Sequence, residues 1–303
     1  MNEIFHLKSI EELLKQFQFS QAMQHPLIAV VEVAIDSFHT EKSFKISADF
    51  YSIIFKTYSK DNIKYGRKTI DFQNGSLICI APNQVIEMDD QSEDISSIDG
   101  WALFFHPDLI RGTTLNIKIK EYGFLNYNVS EALHLSDKEK LSLKECVSKI
   151  QMELLENIDT HSQNIIVSAI ELLLNYCSRC YGRQFITRKN TNQPVVSQIE
   201  KLLDDFYATN PKNEHGLPTV NYLAEQVHLS PSYLSDLLKK ETGINTQEHI
   251  HFYLIDKAKN ILLNSNHSVS EIAYLLGFEY PQYFSKLFKQ KTGTTALAFR
   301  NLN

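Results

Sequence analysis

No run in this chain approaches the 18 or more uncharged apolar residues of a membrane span, so no membrane partner is expected. The opening residues, MNEIFHLKSIEELLKQF, lack the basic end and apolar stretch of a secretory signal, and the cytoplasm is the expected location. Four cysteines, Cys79, Cys146, Cys177 and Cys180, are too few and too scattered for a disulfide framework and agree with a reducing compartment. Cys177 and Cys180 form a C-x-x-C, but two cysteines without a second ligand pair do not close a zinc site, and packing thiols are expected there. The ten glycines build no phosphate-cradling loop, and a G-x-S-x-G elbow and a catalytic carboxylate pair are both missing. Binding without catalysis and without a cofactor is the expectation. Excess positive charge is lacking too. The net charge is −6, with 20 basic against 25 acidic residues before Pro194 and 10 against 11 after it. Attraction for a polyanion must therefore be local.

What the chain does have is length for two domains, 303 residues, with 43% hydrophobic and 22% charged residues in the globular range. From about Leu27 to Pro107 the short apolar runs IAVVEVAI, FYSIIFKTY, SLICIAP and WALFFHP alternate with polar stretches and predict strands. The acidic stretch DDQSEDISSIDG predicts a surface loop between two of them. A pair of helices is predicted over 137–181. Ser136 and Glu139 have capping-box spacing, and Leu143, Val147, Ile150, Leu154 and Ile158 follow at three- and four-residue intervals. The second helix, opened by Asp159 or Thr160, is apolar on more than one face, through Ile165, Ile166, Ile170, Leu172 and Leu173. So broad an apolar surface predicts two packing partners, one of them a second chain and hence a homodimer, with a wholly intrachain contact as the alternative. The polar segment TRKNTNQP, residues 187–194, is the expected linker between a domain at 1–186 and one at 195–303.

The last 85 or so residues contain one motif twice, about fifty positions apart. Ala224, Leu234, Ser235, Leu237, Leu238, Lys239, Thr242 and Gly243 match Ala273, Phe284, Ser285, Leu287, Phe288, Lys289, Thr292 and Gly293. The offset grows from 49 in the first helix to 50 in the second, which places one extra residue in the second turn. Each copy predicts helix, tight turn, helix. Ser230 and Pro231 suit the N-cap and first position of a helix, and Ser268 with Glu271 has capping-box spacing. Gly277 suits a left-handed turn, and His228 stands at the equivalent place. Between the copies, Asn245 and Glu248 open a helix carrying Ile250, Leu254, Ala258, Ile261 and Leu262. One helix holding two such units would let them enter successive major grooves about 34 Å apart. Lys286, Lys289 and Lys291 supply the local positive charge.

The stretches SPSYLSDLLKKETG, KAKNILL and VSEIAYLLGFEYPQYFSKLFKQKTGTTALAFR resemble the DNA-binding domain of AraC/XylS-type bacterial transcription regulators over roughly 195–303. The resemblance implies a sequence-specific regulator of double-stranded DNA, with a small-molecule effector and RNA polymerase as further partners. It implies that Ser232, Ser235 and Asp236 in the first unit, and Gln282, Tyr283, Ser285 and Lys286 in the second, face base edges, while Lys239 and Lys289 face phosphate. The chain departs from the family pattern at Leu254, where arginine is usual, at Leu238, where phenylalanine is frequent, and at Ala296, where proline is usual. Asp236 stands where a basic reader is frequent. It can accept from cytosine N4 but repels phosphate, so the second unit is expected to carry more of the affinity.

FQNGSLICIAPNQ, with Gly75 before an apolar strand and Pro82 after it, resembles the jelly-roll sensor domains of the same family. The implied fold is α+β: an N-terminal cupin-like β-barrel with a helical dimerisation element, then an all-α domain with two helix-turn-helix motifs. Two other classes remain open. A metal-dependent cupin-type enzyme fused to a DNA-binding domain would need clustered histidines, whereas His39 and His106 are isolated. A non-specific architectural DNA binder would need the basic excess this chain lacks.

Overall fold

The computed structural model describes residues 4–19, 23–34, 44–58, 63–65, 68–70, 75–88, 98–157, 159–187, 189–209 and 216–302. The chain divides into two compact units, residues 1–187 and 188–303.

Unit 1 contains strands β1 (Ile4–Leu7), β2 (Ile28–Ala34), β3 (Phe44–Ala48), β4 (Tyr51–Tyr58), β5 (Ile63–Tyr65), β6 (Lys68–Ile70), β7 (Ser76–Ile80), β8 (Ile86–Met88), β9 (Ile98–Phe105) and β10 (Leu133–His134). Its helices are α1 (Ile10–Gln16), α2 (Pro107–Ile110), α3 (Leu115–Lys118), α4 (Asp137–Leu155) and α5 (Ser162–Thr187). The four apolar runs of the sequence are β2, β4, β7 and β9, all antiparallel neighbours in a five-stranded sheet of order β10-β7-β4-β9-β2. A three-stranded sheet, β1-β3-β8, and the pair β5-β6 complete the strands. Among the described residues no hydrogen-bonded ladder joins these sheets, so the expected closed barrel is not present there; what is present is an open arrangement of separate sheets. Of the acidic loop expected at 89–100, residues 98–100 instead begin β9, paired through Gly100 to Lys56, and the rest lies outside the described residues, as do His39 and Ile158.

The main sheet is buried on both faces. Ala29, Val31, Val33, Ala102 and Phe104 meet Leu7, Ile46 and the α1 residues Ile10, Leu13 and Leu14 in one core. The opposite face carries Ile53, Leu77, Cys79, Leu103 and Phe105. There Cys79 meets Cys177 of α5, and all four cysteines are buried and free. The hydrogen bond to Cys79, together with burial, holds the Cys177 thiol well above the ordinary range, and burial beside Glu139 pushes Cys180 up to about 12.

The capping box read from Ser136 and Glu139 opens α4, with Leu143, Val147 and Ile150 buried. Asp159 Oδ1 accepts from the backbone N–H of His161 at 2.7 Å and of Ser162 at 3.0 Å, which starts α5. That helix runs six residues past the expected end at 181, because its last turn has work to do. Arg183 Nε donates to Glu139 at 2.6 Å and its Nη2 to the His134 carbonyl at 2.6 Å, while Gln184 accepts from His134 N–H at 2.9 Å. One helical turn thus fixes both β10 and the start of α4.

Unit 2 is helical: α6 (Lys189–Thr209), α7 (Val220–Gln226), α8 (Pro231–Thr242), α9 (Thr246–Asn264), α10 (Val269–Leu275), α11 (Pro281–Thr292) and α12 (Ala296–Leu302). The segment expected as a linker differs from that reading: Thr187 ends α5, Arg188 lies outside the described residues, and 189–194 open α6. Lys, Asn and Gln are compatible with helix, so loss of apolar periodicity did not mark an end to helical backbone.

Candidate nucleic-acid interface

The two copies of the sequence motif are two helix-turn-helix units, α7–α8 and α10–α11. Val220 and Val269 start the first helices, 49 apart, and Pro231 and Pro281 start the second, 50 apart. In both turns the same bonds reverse the chain. Leu229 N–H donates to Ala224 O at 3.0 Å, and Phe278 N–H to Ala273 O at 2.9 Å. Ahead of them His228 (φ 56°) and Gly277 (φ 91°) take the left-handed conformation. The extra residue follows, since Glu279 and Tyr280 stand where the first copy has Ser230 alone. Ser230 accepts from Tyr233 N–H at 3.2 Å, whereas Tyr280 caps α11 without a side-chain bond.

Gly277 is doubly constrained. Besides its positive φ, a Cβ there would fall 2.6 Å from the Gly216 carbonyl oxygen, and the turn is further held by Tyr207 of α6, whose hydroxyl donates to Leu276 O at 2.9 Å.

Both second helices end alike. Thr242 donates to Leu238 O and Thr292 to Phe288 O, each at 2.8 Å, and left-handed Gly243 and Gly293 follow. Asn245 then accepts from Glu248 N–H at 2.9 Å and Thr295 from Ala298 N–H at 3.1 Å, so the repeat extends into the starts of α9 and α12. Leu254 and Ala296, two departures from the family pattern, are buried packing positions. Arg300 of α12 donates to Leu262 O at 3.0 Å and His267 O at 2.6 Å, tying the end of α9 to the start of α10.

The two second helices are unequally open. On α11, Phe284 and Phe288 are buried, while Gln282, Tyr283 (60% exposed), Ser285, Lys286 and Lys289 are exposed on the remaining surface. On α8, Tyr233, Leu234, Leu237 and Leu238 are buried, and Ser232, Ser235 and Asp236 are half-buried; only Lys239 among the expected contact residues is fully exposed. Helix α6 packs on α8. Tyr283 also stacks edge-on to Tyr280, with ring centroids 5.8 Å apart.

Lys291, read from the sequence as part of the local positive charge, is turned away from that role. Its Nζ lies 3.4 Å from Glu248 and 4.7 Å from the Phe252 ring centroid, which bolts α11 to α9. The signal was available in its spacing: Lys291 is three residues after buried Phe288, on the flank of the inner face. Sequence reading also missed Tyr207 and Arg300, whose partners are backbone carbonyls distant in the chain and leave no pattern in side-chain types.

Two tandem helix-turn-helix units on a shared central helix define a DNA-binding class of domain. Residues 223–302 match the family described as a helix-turn-helix domain, and this segment is an AraC-type helix-turn-helix domain. The chain is 35% identical over 128 residues to the bifunctional transcriptional activator/DNA repair enzyme AdaA of Bacillus subtilis, covering 42% of this chain and 56% of that protein. It is 41% identical over 100 residues to the HTH-type transcriptional activator RhaS of Salmonella arizonae, covering 33% and 34% respectively. Thus the chain spans between a third and a little over half of the length of these relatives. Among solved structures, the C-terminal domain of AraT, a response regulator from Geobacillus stearothermophilus, is similar over 36% of this chain and 86% of its own, at 26% identity and a TM-score of 0.32.

Proposed function

We propose that the chain is a sequence-specific, DNA-binding transcription regulator that acts by binding and not by catalysis. The observation that carries this reading is the open face of α11, where Gln282, Tyr283, Ser285 and Lys286 stand together over a buried Phe284–Phe288 ridge. In this reading α8 and α11 enter successive major grooves of one DNA face. Gln282 offers the bidentate pattern suited to adenine, Lys286 reaches guanine or phosphate, and Ser232, Ser235, Tyr283 and Ser285 line the groove. Lys239 and Lys289 hold phosphates, and Asp236 favours cytosine at its step. In vitro selection from random DNA tests it. An asymmetric site with two conserved blocks about 10 base pairs apart is expected, and a pool that gains no sequence bias contradicts it.

Unit 1 is the sensing and dimerisation part of the same reading, with a cupin-like arrangement of sheets. Support for pairing comes from apolar side chains left on the outer surfaces of α4 and α5: Leu141, Met152, Leu155 (72% exposed), Ile165 and Leu172. A second copy covering this surface with its own would form an isologous dimer.

A further inference from the structure

The two units hold the same tyrosine in opposite settings. Tyr233 and Tyr283 are each the third residue of a second helix. Tyr233 is 6% exposed and belongs to the core of the first unit, whereas Tyr283 is 60% exposed. The apolar residues around them differ in size. Leu229, Leu234 and Leu238 in the first unit correspond to Phe278, Phe284 and Phe288 in the second. Those three rings make a continuous row, with centroids 5.5 Å apart between Phe278 and Phe284 and 5.7 Å between Phe284 and Phe288. Tyr283 stands outside it, beside one ring of its own kind. Tyr280, 48% exposed, meets Tyr283 edge-on, with centroids 5.8 Å apart and an interplanar angle of 83°. An edge-to-face pair fixes ring orientation as well as burying area. The backbone of Tyr280 is restrained too: Pro281 confines it to the extended region, at φ −128° and ψ 119°, and its carbonyl accepts from Tyr283 N–H at 3.0 Å. Its side chain makes no capping bond, whereas Ser230 in the first copy accepts from Tyr233 N–H at 3.2 Å. The longer second turn therefore supplies an aromatic brace where the first has a capping hydroxyl.

We infer that Tyr280 is a positioning residue that holds the Tyr283 ring in one orientation, and that the braced ring reads the 5-methyl group of a thymine in the half of the site met by the second unit. Base edges in the major groove present donors and acceptors, which Gln282, Ser285 and Lys286 can meet, and one apolar feature, the thymine methyl. An exposed aromatic ring near the start of a groove-entering helix matches that feature and none of the others. The first unit has no such reader at this position, because Tyr233 is buried. The inference rests on the reading of α11 as a major-groove helix and adds to it a recognised group that hydrogen bonding does not report.

Quantitative gel shifts of the full chain on a site obtained by selection, with each thymine replaced in turn by deoxyuridine, test it. The replacement removes a methyl group and leaves every hydrogen-bonding atom in place. At one thymine the loss is expected to weaken binding about fourfold, the worth of one buried methyl. Tyr283→Ala is expected to bind the thymine and uracil forms alike at that position. Tyr280→Ala should lose most of the difference, while Tyr280→Phe, which keeps the ring and removes only the hydroxyl, should retain it. Adding Tyr280→Ala to Tyr283→Ala should change the ratio no further, as expected of a residue that acts through another. Both side chains are exposed, so these variants keep the fold. Equal binding of thymine and uracil forms at every position, a ratio that survives Tyr283→Ala, or one untouched by Tyr280→Ala overturns the inference, as does a selected site without thymine. Selective binding with no methyl effect defeats this inference alone, whereas a selection that yields no preferred site defeats the regulator reading and the inference with it.

Discussion

Individual residues account for the inequality between the two units. The single residue added between Phe278 and Pro281 replaces the capping serine of the first copy with Tyr280 and changes how α11 is entered. If the α11 side chains read bases, Gln282→Ala should relax base preference at one step, costing about 1–3 kcal/mol of discrimination. Lys286→Ala should weaken binding on every sequence tested, and quantitative gel shifts on matched and single-substituted sites distinguish the two effects. Gly277→Ala should destabilise the helical unit by about 2 kcal/mol or more, since both its φ and the Gly216 backbone oppose a Cβ; a thermal melt unchanged from wild type would refute that account. Thr246 offers the opposite case. Its hydroxyl is buried without a partner among the described residues, so Thr246→Val should raise stability by on the order of 1 kcal/mol in chemical denaturation.

At the scale of elements, some local patterns were legible and long-range partners were not. The capping boxes at Ser136–Glu139 and Ser268–Glu271, the N-caps at Ser230 and Asn245 and the left-handed turn at His228 involve neighbours in sequence, so residue types declare them. The same signal at Ser9 and Glu12, which opens α1, went unused. The parallel pairing of β1 with β3 joins residues about forty positions apart and has no local signature. The extension of α5 depends on Arg183 and Gln184 finding β10, which periodicity does not encode. In the candidate interface, exposure of the α11 residues followed from position in the motif, whereas the partial burial of Ser232, Ser235 and Asp236 depends on tertiary packing that the motif does not encode. Glu139 gives this scale its pH dependence. Burial alone would raise its pKa, but hydrogen bonds from Ser136 and Arg183 outweigh that and hold it below the usual glutamate range. A depressed folded pKa means the stabilisation is fully present above the unfolded value and is lost as pH falls through the folded one. Glu139→Gln, which keeps the cap but not the charge, should lower stability by about 0.5–1 kcal/mol at neutral pH. The difference from wild type should vanish on acidification, and a difference that grows toward acid in paired melting curves would contradict the linkage.

For the whole molecule, the lack of a basic excess bears on how the proposed regulator would hold DNA. Four exposed lysines on the second helices, Lys239, Lys240, Lys286 and Lys289, give few phosphate contacts for a chain whose net charge is −6. Affinity must then come largely from groove contacts, which depend on sequence, and little from counterion release, which does not. The most direct measurement is competition in a gel shift at physiological salt, with labelled site obtained by selection and unlabelled random DNA as competitor. The account predicts that random DNA displaces the chain at least about 1,000-fold less effectively than the unlabelled site itself. Equal displacement by the two competitors would contradict it.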